Sequence, residues 1–275
     1  MILLKNSNPI MNNINLPHMP QRTERPRSSG LTMVMDKGLS LRQVEDFLET
    51  SSDYVDVVKL GFGTSVVSKN VKEKINLYKQ AGIKTYLGGT LLEAFIVRNK
   101  FDDYLKHIDS LKLDMAEVSD GSIHLDHDKK CQYINILSKH VTVLSEVGSK
   151  EEGIIIHPQK WVKMMRAELD AGSWKVIAEA RESGTVGIFH RNGSAHVMLI
   201  KKITSKIPAE SIIWETPQKS QQVYFIKLMG ANVNLGNISP DDVIPLETLR
   251  IGLRGDTFFS YLPDDIKQAN KQVAE

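Results

Sequence analysis

Two hydrophobic periods take turns along most of this chain. Short runs rich in Val, Ile and Leu read as strands buried on both faces, and each is followed by a stretch whose apolar residues recur at helical spacing. The strands, with the loops that follow them, are predicted over 31–36, 55–64, 84–90, 115–121, 141–150, 175–184, 211–217 and 231–237. The first predicted helix, over 41–48, carries Leu41, Val44, Phe47 and Leu48 as one stripe. Others end at Ala81 before Gly82, run over 91–111, centre on Ile134, Ile136 and Leu137, cover 159–169, pass through Val197, Met198 and Ile203, and cover 220–229 and 245–253. Eight such units in 275 residues predict right-handed β/α crossovers closing into a (β/α)8 TIM barrel of the α/β class, over residues 29–275. An open doubly wound sheet is the alternative. It would more often place a glycine-rich nucleotide fingerprint after the first strand, and Asp36-Lys37-Gly38-Leu39 is not one.

Residues 1–28 follow neither period. Pro9, Pro17, Pro20 and Pro26 punctuate them, and the segment reads as an arm ending in Arg22, Arg25 and Arg27, which could reach an anionic pocket or stay solvated.

Strand side chains alternate between the barrel interior and the helix layer, so parity sorts the strand tips. If Val118, Val143, Val147, Ala178, Ala180 and Trp214 face the helices, then Glu117, Ser119, Glu146, Gly148, Lys150, Glu179, Arg181 and Glu215 face inward. Lys59 and Asn234 follow by the same count. Four inward carboxylates on successive strands would repel one another and lose hydration unless cations neutralised them. Lys59, Lys150 and Arg181 are available, and Mg²⁺ held among Glu117, Glu146, Glu179 and Glu215 is the expected remainder, because oxygen-only ligands suit it. A salt-bridge network that satisfies itself at the barrel mouth is the alternative. Glycines at the strand ends, among them Gly88, Gly89 and Gly236, would let backbone amides approach a bound anion.

His124 and His127 beside Asp126 and Asp128 read as an acidic helix N-terminus rather than a metal cluster. Trp161 and Trp174 are expected to pack outer helices on strands. A formal charge of +2 gives no bias toward nucleic acid or membrane, and no apolar run is long enough to span a bilayer. The opening Met1-Ile2-Leu3-Leu4-Lys5 is too short for the apolar region of a signal peptide, and the one cysteine, Cys131, suits a reducing cytoplasm.

The strand tips also read as motifs. Residues 59–65 (Lys59 to Ser65), Gly88-Gly89-Thr90, 117–121 (Glu117 to Gly121), Glu146-Val147-Gly148, 179–184 (Glu179 to Gly184), 232–237 (Asn232 to Asn237) and 249–256 (Leu249 to Asp256) together closely resemble the phosphosulfolactate synthase family. The resemblance runs from about Pro26 to about Thr257. It implies a Mg²⁺-dependent barrel lyase that adds sulfite to phosphoenolpyruvate, giving (2R)-phospho-3-sulfolactate in a route to coenzyme M. Charge pushed onto the substrate carboxylate as an aci-carboxylate would be stabilised by the metal with Lys59 and Arg181, and Lys150 would protonate C2. Arg27, Gly88, Gly89, Ser119, Asn234, Gly236, Asn237 and Arg254 are expected to contact substrate, with the phosphate near Gly236, Asn237 and Arg254. A homo-oligomer is expected. The family also contains relatives linked to heat tolerance or of unclear activity, so other enol-phosphate chemistry and a non-enzymatic stress role are the competing readings.

Overall fold

A computed structural model describes residues 13–148, 157–181 and 183–271. In chain order the elements are β1 (Thr32–Asp36), α1 (Leu41–Ser51), β2 (Val57–Leu60), α2 (Thr64–Val67), α3 (Val71–Gln80), β3 (Lys84–Leu87), α4 (Gly89–Ile96), α5 (Phe101–Leu111), β4 (Met115–Val118) and α6 (His127–Leu137). They continue with β5 (Thr142–Val147), α7 (Pro158–Asp170), β6 (Lys175–Ala178), α8 (Val197–Thr204), β7 (Ile212–Glu215), α9 (Lys219–Met229), β8 (Leu235–Ile238), α10 (Val243–Arg250) and α11 (Asp264–Lys271). All eight strands are parallel and hydrogen-bonded in the order β3-β2-β1-β8-β7-β6-β5-β4. The two end strands, β3 and β4, lie against each other, so the ring is a nearly closed TIM barrel.

Parity sorts the core as the sequence pattern predicts. Met33, Val57, Tyr86, Met115, Leu144, Ile177 and Ile213, one from each of β1 to β7, fill the interior. The matching place in β8 is Gly236, where a Cβ would come 2.5 Å from Met33 Cε and 2.9 Å from Ile213 Cγ2. Its missing side chain is what gives Met33 room, which accounts for this glycine without any ligand. Val34, Val58, Ala116, Val143, Val176 and Trp214 belong to the outer core, under the helices.

Three departures from the predicted elements bear on the site. The helix over 91–111 is two helices, α4 and α5, separated at Asn99 with φ +55°, and α4 starts earlier, at Gly89. The eighth strand starts at Leu235 rather than 231, because Gly230 (φ +87°) ends α9 and residues 231–234 complete the turn below the sheet. Trp174 packs beneath the interior cluster, with the Lys175 and Lys84 ammonium groups 4.5 and 5.4 Å from its ring, whereas Trp161 lies in the outer core as expected.

The arginines of the arm sit under the barrel, at the N-terminal ends of the strands. Arg22 pairs with Glu247 at 2.7 Å and donates to Ala231 O at 2.8 Å. Arg25 donates to Ser52 O at 2.6 Å and Gly82 O at 2.7 Å. Arg27, with no side-chain exposure, lies 3.1 Å from Asp56, the residue before β2, and donates to Asp53 O. Buried Arg250 joins them through Ala231 O, Val233 O and Leu31 O. Arg27 is therefore committed to the underside and does not reach the strand C-termini, which corrects its expected substrate contact. These guanidiniums satisfy carbonyls that the strands leave unpaired where they begin.

The underside network predicts that Arg22→Met removes about 3–5 kcal/mol of stability by taking from buried Glu247 its nearer cation, Arg250 Nε standing 4.0 Å away. Urea unfolding should show that loss while the KM for substrate stays unchanged; a KM rise without a stability loss would contradict the placement.

Candidate active site

Parity delivers four of the predicted side chains to one place. From β2, Lys59 Nζ lies 3.0 Å from Glu117 of β4, 3.5 Å from Glu215 of β7 and 3.8 Å from Glu146 of β5. All four residues are buried. Among the described residues, the Lys59 ammonium thus stands among three carboxylates at the C-terminal mouth of the barrel, where active sites of this fold form.

Each of two carboxylates has a second partner that fixes it. Glu117 Oε1 accepts from Gly89 N at 2.7 Å, the first amide of α4, so the positive end of that helix faces it. This contact fixes the start of α4 at Gly89. A Cβ on Gly89 would overlap Ser119 Oγ and come 2.8 Å from Glu117 Oε1, so only glycine allows the approach. Glu215 Oε2 accepts from Ala180 N at 3.0 Å. Burial nonetheless raises the Glu215 pKa from 4.5 to about 7, Lys59 opposing the rise and Glu146 and Glu117 adding to it.

Glu179, equally buried, follows the end of β6, and the space beside its carboxylate is left by Gly148, just past β5, where a Cβ would come 2.6 Å from Glu179 Oε2. The chain then folds back on itself, Ile188 N donating to Glu179 O at 3.0 Å.

Two further residues belong to the site, of which strand parity points to the first alone. Tyr86, two positions before Gly88, points into the barrel below the carboxylates and donates to Met33 Sδ at 2.8 Å. Burial, then Glu117, Glu215 and Glu146, hold its pKa well above the usual tyrosine value, so it keeps its proton. Glu93, buried on α4, accepts from Ser119 Oγ and from Ser122 N at 2.6 Å, which commits the Ser119 hydroxyl proton to the Glu93 carboxylate and ties the loop after β4 to α4. Nothing in the helical stripe marked Glu93 as different from a solvated acid.

β8 carries a bulge. Thr32 and Val34 of β1 pair with Leu235 and Ile238, so two residues of β8 oppose one, and Leu235 and Ile238 both belong to the outer core. Gly236 and Asn237 therefore share the inner side, with Asn237 at φ +56°. Asn237 is 7% exposed and its Oδ1 has no hydrogen-bond partner, an acceptor left for a ligand donor or water.

Comparison with known proteins identifies the lineage. A family profile described as (2R)-phospho-3-sulfolactate synthase matches residues 20–256. The phosphosulfolactate synthase of Methanocaldococcus jannaschii is 44% identical over 237 residues, covering 83% of this chain and 94% of that protein. That of Methanothermobacter thermautotrophicus is 42% identical over 244 residues, covering 86% and 95%. The chain belongs to the phosphosulfolactate synthase family. A Bacillus subtilis member is 38% identical over 252 residues, covering 90% of this chain and 100% of its own. In shape alone, the chain is similar to 3-hexulose-6-phosphate synthase from Salmonella typhimurium, with a TM-score of 0.52 at 13% identity over 82% of this chain and 100% of that one.

Other predicted positions of this phosphosulfolactate synthase relative fall elsewhere. Asn234 lies below β8, accepting from Leu31 N at 3.1 Å and donating to Ile212 O at 3.0 Å, because the strand begins one residue later. It braces the underside and does not face substrate. Arg181 lies beyond β6 at φ +48°, exposed rather than buried with the carboxylates. Arg254 follows the far end of α10, four positions past the underside residue Arg250. Gly88 donates to Leu60 O at 2.9 Å, and a Cβ there would come 3.3 Å from Phe62 N, so the β3 tip closes against the β2 loop. Lys150 lies outside the described residues, as do its neighbours in 149–156. Asp126 caps α6 through Asp128 N and Lys129 N, as the acidic helix start predicted. Among the described residues, no group of three or more acid, histidine or cysteine side chains is arranged to hold a metal ion, and no helix is long and apolar enough to cross a membrane.

The raised Glu215 pKa carries a sign. The folded protein binds a proton there that the unfolded chain releases above 4.5, so the stability from this group is full below that pH and lost as pH rises through about 7. Glu215→Gln mimics the protonated form. Urea unfolding should find it close to the native protein at pH 5 and relatively more stable at pH 8; equal differences at both would contradict the shift.

Proposed function

We propose that this protein is a lyase joining sulfite to phosphoenolpyruvate to form (2R)-phospho-3-sulfolactate. The observation that carries this reading is the Lys59 ammonium held among Glu117, Glu146 and Glu215 at the barrel mouth, in a chain of this family. The sulfur lone pair of sulfite forms a bond to C3, the C2=C3 electrons move toward C2 and the carboxylate, and a proton added at C2 completes the product. The phosphate ester bonds stay intact. Positive charge aimed at the carboxylate is what the step requires, and Lys59, already ordered by three acids, supplies it without reorganisation.

The donor set bears on Mg²⁺. Glu117 and Glu215 each have one oxygen on a backbone amide and the other toward Lys59, so a cage of four glutamates is not the arrangement that fits. An ion held by Glu146 of β5 and Glu179 just past the neighbouring β6, and completed by substrate oxygens and water, fits the usual habit of Mg²⁺. Bound there, it would supply further positive charge to the substrate carboxylate. Asn237 Oδ1 and the inner face of the β8 bulge are suited to a donor on the substrate or its water. The proton for C2 is assigned to Lys150, which follows the tip of β5 in sequence.

Phosphorus NMR tests the reading. The phosphoenolpyruvate signal should give way to one new phosphate ester only when sulfite and Mg²⁺ are both present; turnover with another nucleophile but not sulfite would replace the proposed reaction. In the folded Lys59→Met variant, kcat should fall by about 100-fold or more. A folded variant of undiminished kcat would remove Lys59 from the chemistry.

A further inference from the structure

Among the groups that the reaction leaves unused, one buried ammonium stands out by where its hydrogen bonds go. Lys130 lies on α6 with no exposure. Its Nζ donates to Glu146 O at 2.5 Å and to Asp120 Oδ1 at 2.9 Å, and lies 2.9 Å from Glu168 Oε1 of α7. Three donors thus meet three acceptors on three different elements. Glu168 Oε1 also lies 3.2 Å from His127 Nε2.

The register shows what the contact with Glu146 replaces. β4 and β5 pair as far as Val118 and Ser145, so the carbonyl of Glu146 stands one position past the last rung of that ladder. Lys130 fills the place of the missing strand amide. The same ammonium draws in Asp120, next to Ser119, and so ties the loop after β4 to the tip of β5. Glu146 is held from both sides: its peptide by Lys130 from the helix layer, its carboxylate by Lys59 from inside the barrel. Burial would lower the Lys130 pKa, but Glu168 and Asp120 outweigh it and hold the group above the usual lysine range. A buried ion pair is a costly way to hold helices together, since apolar residues of similar volume often do so equally well.

We propose that Lys130 is a positioning residue for catalysis, acting through the Glu146 peptide to set the C-terminal tip of β5, from which the chain continues to Lys150. The inference rests on the lyase reading for its kinetic consequence and on the geometry alone for its structural one. Misplacement of a catalytic group by about 1 Å can cost on the order of 100-fold in rate.

The test replaces the ion pair as a unit. Lys130→Met alone strands Glu168 and can fail to fold, so the informative variant is Lys130→Met with Glu168→Leu, checked by circular dichroism and urea unfolding. Arg22→Met serves as a control for lost stability. The expected result is a folded double variant whose kcat falls at least about tenfold with KM for phosphoenolpyruvate unchanged, and whose amides at 146–148 exchange with deuterium faster, neither change occurring in Arg22→Met. Native kcat in the double variant, or an equal kcat loss in Arg22→Met, would overturn the proposal. If the native protein does not turn over phosphoenolpyruvate with sulfite, the lyase reading fails by itself. Exchange at 146–148 then decides the positioning claim, faster exchange supporting it and unchanged exchange overturning it.

Discussion

Burying several carboxylates side by side costs several kcal/mol for each one left uncompensated, and the mouth of this barrel exists because Lys59 offsets that cost. Its ammonium is within 4 Å of three glutamates that arrive from three strands. The remaining compensation is local. The first amide of α4 serves Glu117, the amide of Ala180 serves Glu215, and burial keeps Glu215 protonated to about pH 7.

The two ends of the barrel use charge for different ends. Below, Arg22, Arg25, Arg27 and Arg250 meet carbonyl oxygens and the carboxylates of Asp56 and Glu247, and nearly every contact satisfies a group that a strand or helix leaves unpaired. Above, the charged groups face one another across the interior, and the amides of Gly89 and Ala180 complete the pairing of two of them. Stability and chemistry are divided along the strand axis, the usual economy of this fold. The interior layer between them is apolar apart from the Tyr86 hydroxyl, and Gly236 lets Met33 complete it.

Support for the mouth comes from outside the ring. Glu93 on α4 restrains the loop after β4, and Lys130 on α6 ties that loop to β5 while Glu168 on α7 completes its pairing. The helices therefore do more than cover apolar strands. Three of them send a buried charge to the same corner of the sheet, next to the carboxylates whose geometry matters most.

The amino-acid sequence by itself determined the repeating strand-and-helix architecture and the inward direction of Lys59, Glu117, Glu146, Glu179 and Glu215, because a period of two and a period near 3.6 are properties of local backbone geometry. It also carried the family motifs. Which ammonium occupies the centre, and at what distance from which acid, depended on strand register and barrel closure, relations between residues far apart in the chain. Asn234 shows the limit most plainly: its parity was right, but a strand that begins at Leu235 puts it at the opposite end of the barrel from the carboxylates. Arg27 and the arm were placed by partners such as Asp56 that no local pattern names, and the turn of Asn237 toward the interior came from a bulge against β1. Tertiary structure decided these because each depends on a hydrogen bond or ion pair that exists only once the ring has closed.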